Sequence, residues 1–307
     1  MQSLVMGTRG SPLALAQSRQ IAAALMRACP GLTIEERVIS TIGDRQQGVS
    51  LPSIGGKGVF TLEIESALLD GSIDFAVHSL KDLPPELPQG LHLGAIPRRA
   101  PAHDVCILKV AADEQFQGPL PFLKAASIVG TSSLRRRAQL LNLRPDLEIR
   151  DVRGNIDTRL GKLQSQPYDA IVLAAAGLER LGVAADNVYR LDEHGILPAP
   201  GQGALALECR ADDNRTNALL QAVEDAVTRT EIVAERALMS ALNAGCSTPL
   251  GARATWKEEL LLLTACVLSE NGTLRLDASE TGSNAHSLGK AVAQNLLNQG
   301  AAAIMKA

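Results

Sequence analysis

Three short segments combine arginine with hydroxyl or amide side chains where a predicted strand leads into a predicted helix. These segments are residues 7–12, 130–137 and 153–159. A helix N-terminus carries partial positive charge, so an arginine there is unfavourable unless an anion binds beside it. Hydroxyl caps and guanidinium groups together form such an anion site. The repeated pattern predicts a cleft lined with arginines that binds a multiply negative ligand; solvated surface charge is the alternative.

The class of ligand follows from what the sequence contains and lacks. No G-x-x-x-x-G-K-[ST] segment is present, which argues against a nucleotide. The arginine fork matches the geometry of a carboxylate, so a polycarboxylate is favoured. A net charge of −3 and an aromatic content of 2% argue against nucleic-acid binding. The five histidines lack the spacing of a metal-binding motif, and no metal site is expected.

Asp82 is the candidate for proton transfer. It stands beside Lys81 after an apolar segment, residues 73–77, that predicts a buried strand, and Pro84 prevents regular structure from continuing. Open α/β sheets bind their ligands at the carboxyl ends of strands. In that position Asp82 can protonate a leaving amine or stabilise a developing cation. An ordinary exposed ion pair with Lys81 is the alternative.

Cys246 is the candidate reactive thiol. It lies in a loop of small residues, 243–251, after a helix predicted over residues 230–242. A thiol in such a loop can be approached closely, although a packing role remains open. Five cysteines without a C-x-x-C pair indicate free thiols in a cytoplasmic protein. Neither a secretory signal nor a membrane span is predicted.

Alternating strand and helix patterns position these residues. A chain of 307 residues exceeds one ordinary core, so several domains are expected. The sequence predicts two doubly wound α/β lobes with a cleft and hinge between them, and a small C-terminal α+β domain. The predicted boundaries are residues 1–98 with 199–217 for the first domain, 99–198 for the second and 218–307 for the third.

Local signals predict several helix starts and one hairpin. Ser11 before Pro12, Asn155 and Thr230 are the expected N-caps. Asn271-Gly272 predicts a tight turn between two strands. The expected buried face of the helix after residues 130–133 consists of Leu134, Ala138 and Leu141.

These segments, taken in order, resemble the porphobilinogen deaminase family, whose enzymes are also called hydroxymethylbilane synthases. The resemblance covers nearly the whole chain. It is carried by GTRGSPLALAQ, GGKGVF, DFAVHSLKDLP, GTSSLRRRAQLL, RGNIDTRL, LPAPGQGALALECR and AERALMSALNAGCSTPLGA. It implies two lobes similar to type II periplasmic binding proteins and a C-terminal domain with a cofactor cysteine. It also implies a monomeric transferase that condenses four porphobilinogen molecules, with loss of ammonia, onto a covalently bound dipyrromethane and releases hydroxymethylbilane.

The resemblance also implies roles for individual residues. Asp82, with Lys81, matches the catalytic position that protonates the departing amine and stabilises the azafulvene cation, and Cys246 matches the cysteine with the thioether bond to the cofactor. Cofactor binding is further implied for Arg135, Arg136, Ser132, Ser133, Lys81 and Asp82. Substrate binding is implied for Arg9, Ser11, Lys57, Phe60, Thr131, Arg153, Arg159 and Arg180. Because each pyrrole carries two carboxylates, the growing product is itself a polyanion.

Two positions depart from the pattern of the family. His103 stands where many relatives have the second arginine of R-x-D-P-R-D, and Ser53 stands where many have a lysine. Each change removes a possible carboxylate contact. Two other functions stay open: a non-catalytic two-lobed protein that binds a dicarboxylate or polycarboxylate, and a cysteine hydrolase that uses Cys246 with a histidine.

Overall fold

The structure is a computed structural model that describes residues 2–45, 61–112, 117–245 and 248–305. By its internal contacts the chain divides into two compact units. One comprises Met1–Ala100 with Gly203–Thr230, and the other comprises Pro101–Gln202 with Glu231–Ala307. The chain therefore passes from one unit to the other three times.

The described residues form α-helices and β-strands in mixed order. The strands are β1 (Gln2–Thr8), β2 (Leu32–Val38), β3 (Phe75–Ser79), β4 (Leu91–Ala95), β5 (Asp104–Leu108), β6 (Ile128–Gly130), β7 (Glu148–Arg150), β8 (Ala170–Ala174), β9 (Val188–Arg190), β10 (Leu205–Arg210), β11 (Leu250–Lys257), β12 (Leu260–Leu268) and β13 (Arg275–Gly282). The helices are α1 (Pro12–Ala28), α2 (Ile42–Arg45), α3 (Leu62–Leu69), α4 (Leu134–Leu143), α5 (Ile156–Ser165), α6 (Ala175–Leu181), α7 (Asn214–Leu220), α8 (Ala226–Ala241), α9 (Ala285–Asn298) and α10 (Ala301–Ile304). Within the described ranges, no helix has the length and apolar character needed to cross a membrane.

The first unit is built on a five-stranded sheet with the order β2-β1-β3-β10-β4. Strand β1 runs parallel to β2 and β3, whereas β10 runs antiparallel to β3 and β4. Because successive side chains of a strand point to opposite faces, both faces of the sheet need a cover. Ile21 and Leu25 of α1 pack on one face, and Ile64 and Leu68 of α3 pack on the other. This unit is doubly wound, as the sequence predicts.

The second unit contains a five-stranded sheet with the order β7-β6-β8-β5-β9. Strand β6 runs parallel to β7 and β8, and β5 runs antiparallel to β8 and β9. Leu140 of α4 packs on one face, and Leu163 of α5 and Leu178 of α6 pack on the other. In each sheet one strand, β10 or β5, therefore runs antiparallel to the other four. The predicted pair of doubly wound α/β lobes is confirmed.

The C-terminal part of the second unit is a three-stranded antiparallel sheet, β11-β12-β13, covered by α8 and α9. The turn predicted at Asn271-Gly272 joins β12 to β13, and Gly272 adopts a left-handed backbone with φ of 73°. This is the α+β arrangement that the sequence predicts for the C-terminal region. Since the sheet belongs to the same compact unit as β5–β9, the three predicted domain boundaries remain a prediction.

The N-terminus of α8 differs from the prediction. The helix begins at Ala226, upstream of the predicted cap Thr230, because the Asp225 carboxylate accepts a hydrogen bond of 2.7 Å from the backbone N–H of Thr228. The Thr230 hydroxyl instead donates to the carbonyl of Ala226 within the helix, over 2.8 Å. The prediction of Thr230 as N-cap is therefore wrong, since an acceptor at residue 225 already satisfies the first turn.

Candidate functional site

Asp82 lies in a short 3₁₀ turn, Leu80–Asp82, that follows β3 directly. Leu80 and Leu83 are each 2% exposed and anchor the turn in the core. The N–H of Leu80 also donates to the carbonyl of Ala204, which immediately precedes β10, over 3.0 Å. Lys81 is half-buried between these anchors and Asp82 is exposed. The alternation of leucine with charged residues therefore holds Asp82 at the surface on a fixed backbone.

A pocket in the first unit brings three of the predicted residues together. Arg9, Ser11 and Asp82 line it, together with Gln17 and Ser79. The Ser11 hydroxyl caps α1 by accepting a hydrogen bond from Ala14, as predicted. Gln17 donates to the Ser79 hydroxyl over 3.0 Å, so the start of α1 is tied to the end of β3.

The Asp82 carboxylate has neither a hydrogen bond nor an ion pair with any residue that the structure describes. Buried or structural carboxylates are normally paired. An exposed, unpaired carboxylate at the mouth of a pocket is instead free to accept or donate a proton. This geometry fits the proton-transfer role that the sequence suggests.

The pocket also has a buried ionisable cluster that sequence reasoning missed. His78 lies in its wall, with its Nε2 3.0 Å from the Oε2 of Glu208. Glu65 of α3 lies nearby, and burial, followed by the negative charge of Glu208, raises its pKa. The partners come from β3, β10 and α3, so no local sequence pattern could join them. His78 thus lies beside a core carboxylate.

In the second unit, hydroxyl groups shape the turn between β6 and α4. Ser133 is the N-cap and accepts from the N–H of Arg136 over 3.4 Å. Thr131 accepts from the N–H of Ser133 over 3.2 Å, and Ser132 donates to the carbonyl of Val152 over 3.0 Å. Ser132 is exposed, Ser133 is half-buried and Thr131 is buried. The structure confirms a hydroxyl cap at this turn, as the sequence predicts without specifying the residue, and gives each of these hydroxyls a local partner.

The buried face of α4 differs from the prediction. Arg135 and Arg136 are only 5% and 6% exposed, whereas Leu134 and Leu141 are half-buried. The arginines face inward because a buried carboxylate binds them there. Asp104, at the start of β5, accepts from Nη1 of Arg135 over 2.7 Å and from Nη2 of Arg136 over 2.8 Å.

Each of these two arginines has further fixed contacts. Arg135 Nη1 also donates to the carbonyl of Leu197 over 2.7 Å, and Arg136 Nη1 donates to the carbonyl of Val172 over 2.8 Å. Their Nε donors, in contrast, are buried and have no hydrogen-bond partner among the described residues. An orphaned buried donor is unfavourable, and a carboxylate is its best partner. The donor set therefore fits a bound polycarboxylate.

The remaining predicted arginines lie on or near α5 and α6. Arg159 Nε donates to the carbonyl of Gly154 over 2.8 Å, and its pKa is lowered by burial and then by the charge of Arg136. Arg153 is half-buried, 3.8 Å from the carboxylate of Asp151. Arg180 lies in the last turn of α6 and not at its start, and burial lowers its pKa to about 10. The structure thus places Arg159 in the electrostatic field of Arg136.

Asn155, the predicted cap of α5, accepts from the N–H of Thr158 over 2.8 Å, which confirms that prediction. Lys57, Phe60 and Cys246 lie outside the described residues. In the part of the chain that is described, no three histidine, cysteine or acidic side chains are arranged to hold a metal ion.

Comparison with known proteins identifies the family. The sequence profile described as "Porphobilinogen deaminase, dipyromethane cofactor binding domain" matches residues 4–218. That of the C-terminal domain of porphobilinogen deaminase matches residues 229–298. The chain belongs to the porphobilinogen deaminase family. Its activity is that of a hydroxymethylbilane synthase, a transferase of tetrapyrrole biosynthesis with a dipyrromethane cofactor.

Individual relatives agree with this assignment over their full length. The porphobilinogen deaminase of Macrococcus caseolyticus is 46% identical over 307 residues, covering 100% of this chain and 98% of the relative. That of Brevibacillus brevis is 47% identical over 302 residues, covering 97% and 95% of the two chains. That of Xanthomonas euvesicatoria is 46% identical over 307 residues, with 99% of each covered.

Solved structures of binding proteins are more distantly similar. A probable amino-acid ABC transporter extracellular-binding protein from Bacillus subtilis is 11% identical, with a TM-score of 0.40 over 72% of this chain and 90% of the other. An ancestral cationic amino acid solute binding protein is 15% identical, with a TM-score of 0.42 over 71% and 88% of the two chains.

Proposed function

We propose that, within the family reaction, Asp82 is the general acid and the arginines around α4 hold carboxylates of the cofactor and growing product. The observation that carries the first part is the exposed Asp82 carboxylate, which has no partner among the described residues and lies in the pocket with Arg9 and Ser11. Asp82 protonates the amine that leaves porphobilinogen. Its carboxylate then faces the cation that remains on the substrate and stabilises it.

The arginines of the second unit account for binding. Arg135 and Arg136 are fixed by Asp104 and keep buried Nε donors that a carboxylate would satisfy. Arg159 adds positive charge beside Arg136. When bound, the dipyrromethane supplies the pyrrole carbon from which the product grows. We propose that the other positions implied by the family pattern also contact carboxylates or pyrrole rings of the bound chain. These positions are Lys57, Phe60, Lys81, Thr131, Ser132, Ser133, Arg153 and Arg180.

Cys246 is the proposed attachment point of the cofactor. The chain leads to it from α8, with the N–H of Gly245 donating to the Thr248 hydroxyl over 3.1 Å. The four cysteines in the described ranges carry free thiols, which supports a reducing cytoplasmic location. A monomer is proposed from the family resemblance, and size-exclusion chromatography with light scattering tests it.

The substitution Asp82→Asn tests the proposed chemistry. It keeps the shape of the side chain but removes the proton that is donated, so turnover of porphobilinogen should fall by about 10²–10⁴-fold. Intact mass should still show two linked pyrrole units, mapped to the Cys246 peptide. Glu86→Gln is the matched control, because Glu86 is an exposed acid four residues away and outside the pocket. The control should keep parental turnover.

Two outcomes would contradict these assignments. Normal turnover by Asp82→Asn would remove Asp82 from the mechanism. A parent mass equal to the bare sequence, unchanged after incubation with porphobilinogen, would contradict covalent attachment of a cofactor and favour a binding protein.

A further inference from the structure

Asp104 is the most fully enclosed charged group beside the proposed cofactor arginines. It is 1% exposed and lies at the first residue of β5. Besides Arg135 and Arg136 it contacts Gln202, whose Nε2 donates to the carboxylate over 2.8 Å. Gln202 is also 1% exposed and donates to the carbonyl of Ala102. The carboxylate is thus held on several sides by donors that solvent barely reaches.

The three charges depend on each other. Burial opposes ionisation of Asp104, but Arg135 and Arg136 outweigh it and hold the pKa of Asp104 well below its usual range. Burial lowers the pKa of Arg135, Asp104 counteracts this, and the neighbouring Arg136 charge adds to the lowering. Two adjacent guanidinium groups at this depth repel each other, so they need a counter-charge. With Asp104 ionised, the trio carries a net charge of +1, the sum of two positive charges and one negative charge.

The contacts also fix the orientation of both guanidinium planes. Asp104 takes one terminal nitrogen of each arginine, and the carbonyls of Leu197 and Val172 provide a second anchor for each. Since a guanidinium is a rigid plane, two anchors determine where its remaining donors point. In both arginines the buried Nε donor lacks a hydrogen-bond partner among the described residues.

We propose that Asp104 is a positioning residue for the cofactor site. Its negative charge lets Arg135 and Arg136 lie side by side, and its contacts aim their remaining donors, so that carboxylates of the dipyrromethane can bind while Cys246 is being loaded. The inference rests on the proposed function, in which these two arginines bind cofactor carboxylates. Asp104 makes no contact with the ligand in this account and acts only through the arginines.

The test compares Asp104→Asn with Asp104→Glu. The asparagine keeps the shape but loses the negative charge, leaving two buried arginines without a counter-ion. The fraction of protein that carries the covalent cofactor, read by intact mass after incubation with porphobilinogen, should fall by about tenfold or more. Asp104→Glu restores the charge and displaces it by one methylene. It should load to a greater final extent than Asp104→Asn but more slowly than the parent.

Asp146→Asn is the matched control for a purely structural effect. Asp146 binds Arg144 at the other end of α4 through two contacts of 2.7 Å, and Arg144 is also buried, at 4% exposure. This variant loosens the same helix away from the cofactor arginines. Far-UV circular dichroism and thermal melting identify the temperature range in which each variant is folded, and loading is measured there. The control should load like the parent.

Several results would overturn the inference. They are parental loading by folded Asp104→Asn, or an equal loss of loading in Asp146→Asn. If Asp104→Asn does not fold, the test falls to Asp104→Glu. A folded Asp104→Glu variant that loads the cofactor at the same rate and to the same extent as the parent would then contradict the inference. Arg136→Gln separates this inference from the function beneath it. Normal loading by Arg136→Gln refutes the arginine assignment itself, whereas lost loading there with normal loading by both Asp104 variants refutes only the positioning role.

Discussion

The contact between α8 and α9 makes a sharp prediction about stability. Gly289 of α9 packs against α8 so closely that an added Cβ would lie 2.6 Å from the Cβ of Ala237 and 2.8 Å from the backbone nitrogen of Leu238. It would lie closer still to the carbonyl oxygen of Ala234. Most of these atoms belong to the backbone of α8, so no side-chain rotation relieves the overlap. Gly289→Ala must therefore push the two helices apart.

The magnitude follows from two opposing effects. Overpacking of a tight core contact costs about 1–3 kcal/mol. Replacing glycine by alanine inside a helix gains up to about 1 kcal/mol through helix propensity. Because the overlap is mostly with backbone atoms, the cost should lie in the upper part of that range, at about 2–3 kcal/mol, and the free energy of unfolding should fall by about 1–2 kcal/mol in Gly289→Ala. Gly161→Ala is the matched control, because Gly161 lies in the exposed part of α5 and an added Cβ would meet no atom within 4 Å. That variant should be stabilised, since only the propensity gain applies.

The protein carries its own probe for this measurement. Its single tryptophan, Trp256, lies in β11 of the sheet that α8 and α9 cover. Tryptophan fluorescence during urea unfolding reports the transition of this region, and a lower midpoint at unchanged slope measures lost stability. A midpoint for Gly289→Ala equal to or above that of the parent would refute the close-packing argument. Turnover per folded molecule should not change, because Gly289 lies outside the proposed site.

Two further predictions concern a turn and a thiol. Gly272 and Gly300 both have left-handed backbones, but only at Gly272 would an added Cβ meet helix α4, 2.5 Å from the carbonyl oxygen of Ala138. In urea titrations the free energy of unfolding should therefore fall by about 1–3 kcal/mol more in Gly272→Ala than in Gly300→Ala. Equal losses of stability would show that the hairpin does not press on α4. Burial raises the pKa of Cys106 to about 12, so iodoacetamide at about pH 8 should spare it in the native protein and modify it only after unfolding. Peptide mass mapping checks this, with the half-buried Cys29 as the internal comparison; native alkylation of Cys106 ahead of Cys29 would contradict it.

Helix starts were predictable where the capping chemistry is local. Ser11, Ser133 and Asn155 each accept a hydrogen bond from the backbone three residues ahead, and the sequence shows cap and helix within one short segment. The same reasoning failed at Thr230 because two acceptors compete for that helix start, and Asp225 lies one turn further upstream. The order of strands and helices was readable from periodicity for the same local reason.

The charges of the site were less predictable because their partners are distant in sequence. The sequence of the turn before α4 predicts an anion site, and the arginines there were expected to face a ligand. Asp104 is 31 residues from Arg135 and Gln202 is 98 residues from Asp104, so no periodic pattern links them. The Glu208 partner of His78 likewise comes from a strand far along the chain. Sequence reasoning finds where charge accumulates, and only the folded chain shows how that charge is balanced.

The antiparallel strand in each sheet explains how the site residues are supported. The parallel strands β1 and β3, and likewise β6 and β8, end at the edge of their sheet where the candidate residues lie. An antiparallel neighbour begins at that same edge. In the second unit β5 begins with Asp104, opposite Ala174 at the end of β8, and so delivers the counter-charge to α4. In the first unit β10 begins at Leu205, opposite Ser79 at the end of β3, and the residue before it accepts the hydrogen bond that anchors the Asp82 turn. In each sheet the parallel strands thus lead to the reactive and binding groups, and the antiparallel strand brings the residues that support them.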